Sequence, residues 1–183
     1  MINKNLGFTL IETLVAVLIL STAIAGPLTI ASKGLNAALV AKDQVTAYYL
    51  AQDALEHIRF VRDTNKLKGG HWLGLGGGVG IIDILTPCSS THGCQINSTL
   101  NSAPAACSTP TCLALRYNNT TRLFNYDVIS ATNVATIFYR KITLASIAGT
   151  SDEYKLTVTV TWSDLAGITH PPVIIQENIF NWQ

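Results

Sequence analysis

"GFTLIETLVAVLILSTAIAGPL", Gly7 to Leu28, decides how this chain is built. From Thr13 to Ser32 there is no charged residue. At helical rise such a run extends about 30 Å, the thickness of a bilayer's hydrocarbon core. The one carboxylate nearby is Glu12, at the start of the run. An ionisable group in hydrocarbon costs about 2.5–3.5 kcal/mol on insertion scales. Glu12 therefore either sits at the membrane interface or has a dedicated partner.

Upstream lies a short basic leader, Met1 to Leu6, carrying the N-terminal amine and Lys4. A secretory signal would follow it with a short apolar core and a small-residue cleavage site. Here the apolar run is longer and passes into an amphipathic segment with no turn-rich break. The pattern predicts a signal anchor, with the positive end in the cytoplasm, one helix across the membrane and the remainder outside.

Downstream, Ala41, Val45, Tyr48, Ala51, Leu55 and Ile58 recur at three- to four-residue steps. Lys42, Asp43, Asp53, Glu56, Arg59 and Arg62 lie mainly off that stripe. One helix from Phe8 to about Arg62 is predicted, its second half laying an apolar stripe on a head. Gly26-Pro27 leaves open a kink or a division into two helices, because proline removes a backbone donor and crowds the preceding turn.

After Asp63 the texture changes. "KLKGGHWLGLGGGVG" (66–80) misses the dinucleotide fingerprint, since Val79 stands at the third glycine position counted from Gly74. It also lacks the Gly-Lys-Ser/Thr of a phosphate loop, so a connector is predicted. Residues 86–112 are rich in Ser, Thr, Asn, Pro and Cys and read as an irregular excursion. Strand patterns follow. Leu113–Tyr117 and Arg122–Asp127 flank "NNTT" as a hairpin, and Thr136–Ala145 is β-rich. Tyr154, Leu156, Val158, Val160 and Trp162 alternate with Lys155, Thr157, Thr159 and Thr161, which predicts one dry and one wet face. Val173–Phe180 is a further strand, entered through Pro171 and Pro172.

The predicted fold is therefore α+β: a long N-terminal helix, transmembrane then amphipathic, packed on a mainly antiparallel sheet. Its segments are a leader at 1–7, the helix at 8–62, a Gly-rich and Cys-containing loop region at 63–112 and the sheet head at 113–183.

The 183 residues carry a net charge of +1 and only 13% charged side chains, which leaves no broad basic surface for nucleic acid. The cysteines are Cys88, Cys94, Cys107 and Cys112, all in the part expected outside the cytoplasm. Cys88 and Cys94 have five residues between them, Cys107 and Cys112 four, wider than most zinc ligand pairs. Disulfides are expected instead of a metal. Four cysteines allow three pairings, of which the local pairs Cys88–Cys94 and Cys107–Cys112 are favoured. No nucleophile motif surrounds the serines, and His57, His71, His92 and His170 are scattered along the chain. No catalytic set and no cofactor is expected. Asp152 and Glu153 read as a solvated turn, with calcium as the other option; Phe180 and Trp182 read as core or edge packing.

A basic leader ending in glycine, then "FTLIE" and a long apolar helix, closely resembles the type IV pilin and pseudopilin family. The match is specific from Lys4 to about Leu20. The resemblance implies a prepilin peptidase that cuts between Gly7 and Phe8 and methylates the new amine of Phe8. The family's glutamate falls on Glu12, which implies a pairing with the terminal amine of a neighbouring subunit during assembly. "YYLAQDALEHIRFVRDTN" (48–65), "TVTVTW" (157–162) and the final Trp182 are similar to minor pilins and minor pseudopilins. The implied partners are the prepilin peptidase, other pilins or pseudopilins, an inner-membrane assembly platform and, before assembly, membrane lipid. The implied location is the cytoplasmic (inner) membrane, single-pass with the head outside, then the pilus or pseudopilus. The competing reading is a single-pass anchored sensing or binding protein that is never processed; the mature N-terminus separates the two.

Overall fold

A helix of 58 residues, α1 (Leu10–Leu67), is followed by a seven-stranded antiparallel sheet, so the class is α+β. The computed structural model describes residue 7 and residues 9–99, 103–164 and 167–181. The chain divides into two compact units, Met1–Asp43 and Gln44–Gln183.

In the first unit every described residue from Leu10 to Lys42 is exposed, including Leu14, Leu18, Ile19 and Leu20. The helix continues through Pro27, so the break that Gly26-Pro27 left open does not occur. The hydroxyls of Thr13, Ser21, Thr22 and Thr29 turn back onto carbonyls of the preceding turn, at 2.8–3.1 Å. Polar groups otherwise costly in an apolar medium are thus satisfied within the helix itself.

In the second unit the same helix buries Ala47, Leu50, Ala51, Ala54, Leu55, Ile58, Val61 and Asn65. Their spacing of three and four residues makes one stripe. Ala51, Leu55 and Ile58 lie on it as expected. Val45 and Tyr48 do not: they are about half exposed, as is Tyr49. Apolar residues occupy more than one face of this segment, and the small side chains Ala47, Ala51 and Ala54 occupy the contact with the sheet. The helix also passes Arg62 and ends at Leu67.

The strands are β1 (Cys94–Gln95), β2 (Ala105–Ala106), β3 (Ala114–Asn118), β4 (Phe124–Asn125), β5 (Asn133–Ser146), β6 (Glu153–Trp162) and β7 (Val173–Phe180). The long β5 is central. One of its edges carries β6, in unbroken register from Phe138↔Trp162 to Ser146↔Tyr154, and β7 lies outside β6. The other edge is shared: β3 pairs with the first half of β5 and β1 meets it at Ile142, with β4 and β2 outside them. Along β6, Leu156, Val158, Val160 and Trp162 are buried while the intervening threonines are half-exposed, as the alternation predicts. The helix stripe and the dry faces of β5, β6 and β7 form one core.

The predicted strand at Arg122–Asp127 shrinks to β4. Arg122 is in the left-handed region (φ 60°), closing a turn in which the Asn118 side-chain oxygen accepts the N–H groups of Thr120 and Thr121 at 2.9 Å. Beyond β4, the Asn125 side chain caps the Asp127 N–H at 2.9 Å and turns the chain away.

Residues 86–112 are more regular than their composition suggests. They include most of a single helical turn, α2 (Leu85–Cys88), together with β1 and β2. Cys88 is bonded to Cys94 and Cys107 to Cys112, so among the described residues no cysteine is free. The first bridge ties α2 to the strand that meets β5. Gly93, at φ 73°, lets that strand approach: a Cβ there would lie 2.5 Å from the Ile142 carbonyl.

The glycine-rich segment is anchored by Asn65. This fully buried amide donates to the carbonyls of Ile82 (2.8 Å) and Trp72 (3.3 Å) and accepts the Ile82 N–H at 2.9 Å. A Cβ on Gly74 would lie 2.1 Å from the Ile82 carbonyl oxygen, so only glycine fits where the two limbs of the loop cross.

Candidate functional site

The N-terminal segment is the site that the sequence singles out. Thr9 opens the helix. Its backbone oxygen accepts the N–H groups of Glu12 (3.1 Å) and Thr13 (3.2 Å), and its hydroxyl also accepts Glu12 N–H at 3.3 Å. Thr9 is thus the N-cap and Glu12 the third helical residue, the Thr-x-x-Glu arrangement of a capping box. Glu12 is also the acid of the first turn, where the unsatisfied N–H groups of the helix end favour a negative charge. The sequence signal for this cap is the spacing of Thr9 and Glu12 in "TLIE", which a reading of the Glu12 charge alone does not use.

Gly7 precedes this cap in irregular backbone. It is exposed, and a Cβ built on it would meet nothing within 4 Å. The chain's own packing therefore sets no demand for glycine at this position. Phe8 lies outside the described residues. Glu12 is exposed on the helix, and from Leu10 to Ser32 it is the sole charged residue. The helix is long and apolar enough to cross a membrane.

The head's polar groups were weighed for chemistry of their own. Arg140, 1% exposed, donates to the carbonyls of Leu50 (2.9 Å) and Ile96 (2.8 Å) and to the Asp53 carboxylate (2.7 Å). Ser98 donates to the same Asp53 oxygen at 2.7 Å. This cluster ties helix, sheet and the 96–98 segment together, and it occupies Asp53. A cavity of about 400 Å³ beside it is lined by Tyr49, Asp53, Ser98, Arg122 and Phe124, among others. Asp53, the one carboxylate among its described lining residues, is held by two donors. Arg140 was also missed from sequence, although it occupies an inward position of β5 between Phe138 and Ile142.

The histidines stay apart. Burial holds the imidazole of His57 below its ordinary pKa, with Arg140 adding to the effect and Asp53 opposing it. His71 accepts the N–H of Leu73 at 3.2 Å, and His170 stacks on Trp162. The carboxylates of Asp152 and Glu153 receive the side-chain amides of Asn181 (3.1 Å) and Asn178 (2.8 Å). Phe180 is partly exposed on β7, and Trp182 lies outside the described residues. Among the described residues no three His, Cys, Asp or Glu side chains are grouped to hold a metal ion.

Comparison with known proteins bears on the N-terminal segment. Residues 2–26 match the family model for the prokaryotic N-terminal methylation motif. No curated protein and no solved structure matches the chain. The matched motif is a structural one, carried by pilin and pseudopilin-type proteins that a prepilin peptidase processes and that assemble with other pilins. It spans the leader, Gly7, the Thr9–Glu12 cap and the apolar helix as far as Gly26. Over these residues the chain is similar to type IV pilin-like proteins.

Proposed function

We propose that the chain is a minor structural subunit of a type IV pilus or of a type II secretion-like pseudopilus. It is inserted into the cytoplasmic membrane with its leader inside and its head outside. A prepilin peptidase cuts between Gly7 and Phe8 and methylates the amine of Phe8. The subunit then leaves the lipid through an inner-membrane assembly platform and packs by its N-terminal helix against other pilins. The disulfides Cys88–Cys94 and Cys107–Cys112 suit an oxidising location for the head.

One observation carries the reading: Glu12 is the lone charge in a fully exposed apolar run, one turn past the scissile bond. Cleavage creates a cation at Phe8. A carboxylate on a neighbouring subunit would neutralise it in a bundle of low dielectric. Because a buried ion pair is costly to desolvate, its role is register more than stability: a misplaced subunit leaves two unpaired charges. The similarity of the 48–65 and 157–162 segments to minor subunits supports the minor assignment. The test is the mature N-terminus. Mass spectrometry of the chain from its native envelope should find methylated Phe8 first. A chain that keeps Met1 or Ile2 is an unprocessed anchor, and the proposal fails.

A further inference from the structure

The cavity beside the Arg140 cluster lies wholly within the second unit, between the helix, the 98–99 segment and the turn that leads into β4. Its volume of about 400 Å³ falls inside the roughly 300–1,000 Å³ of small-molecule sites. Tyr49 and Leu50 line it from the helix, Leu123 and Phe124 from the turn and β4. Tyr49 and Leu123 are exposed. The apolar body of a guest would therefore cover side chains that the chain itself leaves in water.

Two charged residues line the cavity, and they differ in what they have left to offer. Asp53 Oδ2 accepts from Arg140 and from Ser98, both at 2.7 Å, so a buried arginine already balances the Asp53 charge. Arg122 has no such balance. Among the described residues no ion pair and no side-chain hydrogen bond holds its guanidinium. The uncompensated charge at the cavity is thus one positive charge, on a planar group that meets a carboxylate through two parallel N–H donors. Arg122 also stands at φ 60°, which glycine adopts at less cost, so the turn itself sets no demand for arginine.

We propose that this cavity binds an apolar monocarboxylate, its carboxylate on Arg122 and its apolar body against Tyr49, Leu123 and Phe124. Charge complementarity selects the class. An amine would meet Arg122 as a like charge, and a neutral molecule would leave that charge unanswered. A phosphate ester calls for more cations or a row of backbone donors, whereas one arginine lines this cavity.

This inference goes beyond the filament reading and does not depend on it. The probe is 2-naphthoate, with 2-naphthalenemethanol as its neutral twin. Equilibrium dialysis of the full chain in detergent, against empty micelles, separates binding to the chain from uptake by the detergent. At pH 7.5 naphthoate should bind saturably, one per chain, and about tenfold or more tighter than the alcohol, because its hydrogen bonds to Arg122 are charge-assisted. Arg122→Gly suits the backbone at φ 60°, so the head should stay folded, and the twins should come within about twofold of each other. Arg122→Lys should keep part of the preference, as a point charge without the fork. Tyr49→Ala should weaken both twins alike, by about threefold or more, through lost apolar contact. Two peptides ending in phenylalanine, one with a free terminal carboxylate and one amidated, form the second arm. Tighter Arg122-dependent binding of the free-ended peptide than of naphthoate would assign the carboxylate to a chain end, and the reverse to a free acid. No saturable binding of either carboxylate, equal affinity of both sets of twins for the native chain, or a preference that survives in Arg122→Gly would overturn the proposal.

Discussion

Residues 10–43 and 44–67 belong to one helix, yet they obey different solvents. From Leu10 to Ser32 the first stretch is apolar with Glu12 as its sole charge, and every residue from Leu10 to Lys42 is exposed. The hydroxyls of Thr13, Ser21, Thr22 and Thr29 are satisfied by its own backbone, so what its apolar side chains still need is apolar surroundings. The second stretch is polar on one side, and its stripe from Ala47 to Asn65 is buried against the sheet. The same backbone hydrogen bonds run through both, so helical geometry cannot be what distinguishes them. What differs is where the apolar side chains can find cover: within the chain for the second stretch, outside it for the first.

The largest separation of the two should come from Gly7. A substitution there meets no contact in the chain, so the fold should be unaffected. The peptidase, in contrast, needs close approach to the bond, which glycine permits. Gly7→Val should leave essentially all of the protein at full length in the membrane, with head unfolding unchanged. Mass spectrometry that finds the variant beginning at Phe8 would show that the cut is misassigned.

Glu12 should come next. Replacing it by leucine removes a charge that is expensive in lipid, so insertion and cleavage should proceed. On the proposed pairing, the amine of Phe8 then lacks its partner in the bundle. An unpaired buried charge costs about 3–5 kcal/mol, which corresponds to more than a hundredfold weaker docking. Glu12→Gln should be intermediate. Losing the first-turn carboxylate adds a smaller cost, about 0.3–1 kcal/mol at the helix start, because the Thr9 hydroxyl can still accept the N–H of residue 12. Crosslinking to partner pilins, with cleavage followed in the same membranes, measures this. Equal crosslinking of cleaved native and cleaved Glu12→Leu chains would return Glu12 to a capping role alone.

A pair of truncations then tests the two stretches directly. Ile58 is fully buried and Leu18 is 60% exposed. Ile58→Ala leaves a cavity and should destabilise the head by about 2–5 kcal/mol. Leu18→Ala, at an exposed position, should move head unfolding by less than about 0.5 kcal/mol. Denaturation of the full chain in detergent, followed through the core residues Trp72 and Trp162, reads both. A large shift from Leu18→Ala would mean that the first stretch is covered by the chain after all.

Much of this was legible in advance because it rests on periodicity. The apolar run, the alternation of β6 and the pattern of β7 each depend on many residues that agree, and single exceptions do not matter. What escaped depends on single residues with long-range partners. The helix stripe was displaced because Val45 and Tyr48 are as apolar as the residues actually buried, and only the sheet decides which face is covered. Asn65 looked like the polar end of a helix, but it is the buried anchor of the glycine-rich segment. Arg140 stood at an inward strand position and could have been flagged by parity. Its acceptors, the carbonyls of Leu50 and Ile96, lie far away in sequence and carry no side-chain signal. In the N-terminal segment a motif singles out Gly7 and Glu12, whereas the Thr9 cap is legible only in the spacing of Thr9 and Glu12.

The smallest effect concerns His57, on the partly buried flank of the second stretch. Burial is the leading cause that lowers its pKa, and the Arg140 charge adds to it, against the pull of Asp53. In the folded head the imidazole therefore resists protonation more than it does in the unfolded chain. Below its ordinary value of 6.5 the unfolded state binds the extra proton and the folded state does not. Stability is thus full above that pH and declines as the pH falls through it, until the lowered folded value is reached. His57→Gln removes the titrating group and should flatten the head's stability profile as the pH falls below about 6.5 while leaving the value at pH 7.5 nearly unchanged. Leu18→Ala in the same series should preserve the native slope, since the first stretch contains no histidine. The measurement is the urea midpoint of the full chain in detergent across that range. A His57→Gln profile as steep as the native one would mean that the acid sensitivity does not belong to His57.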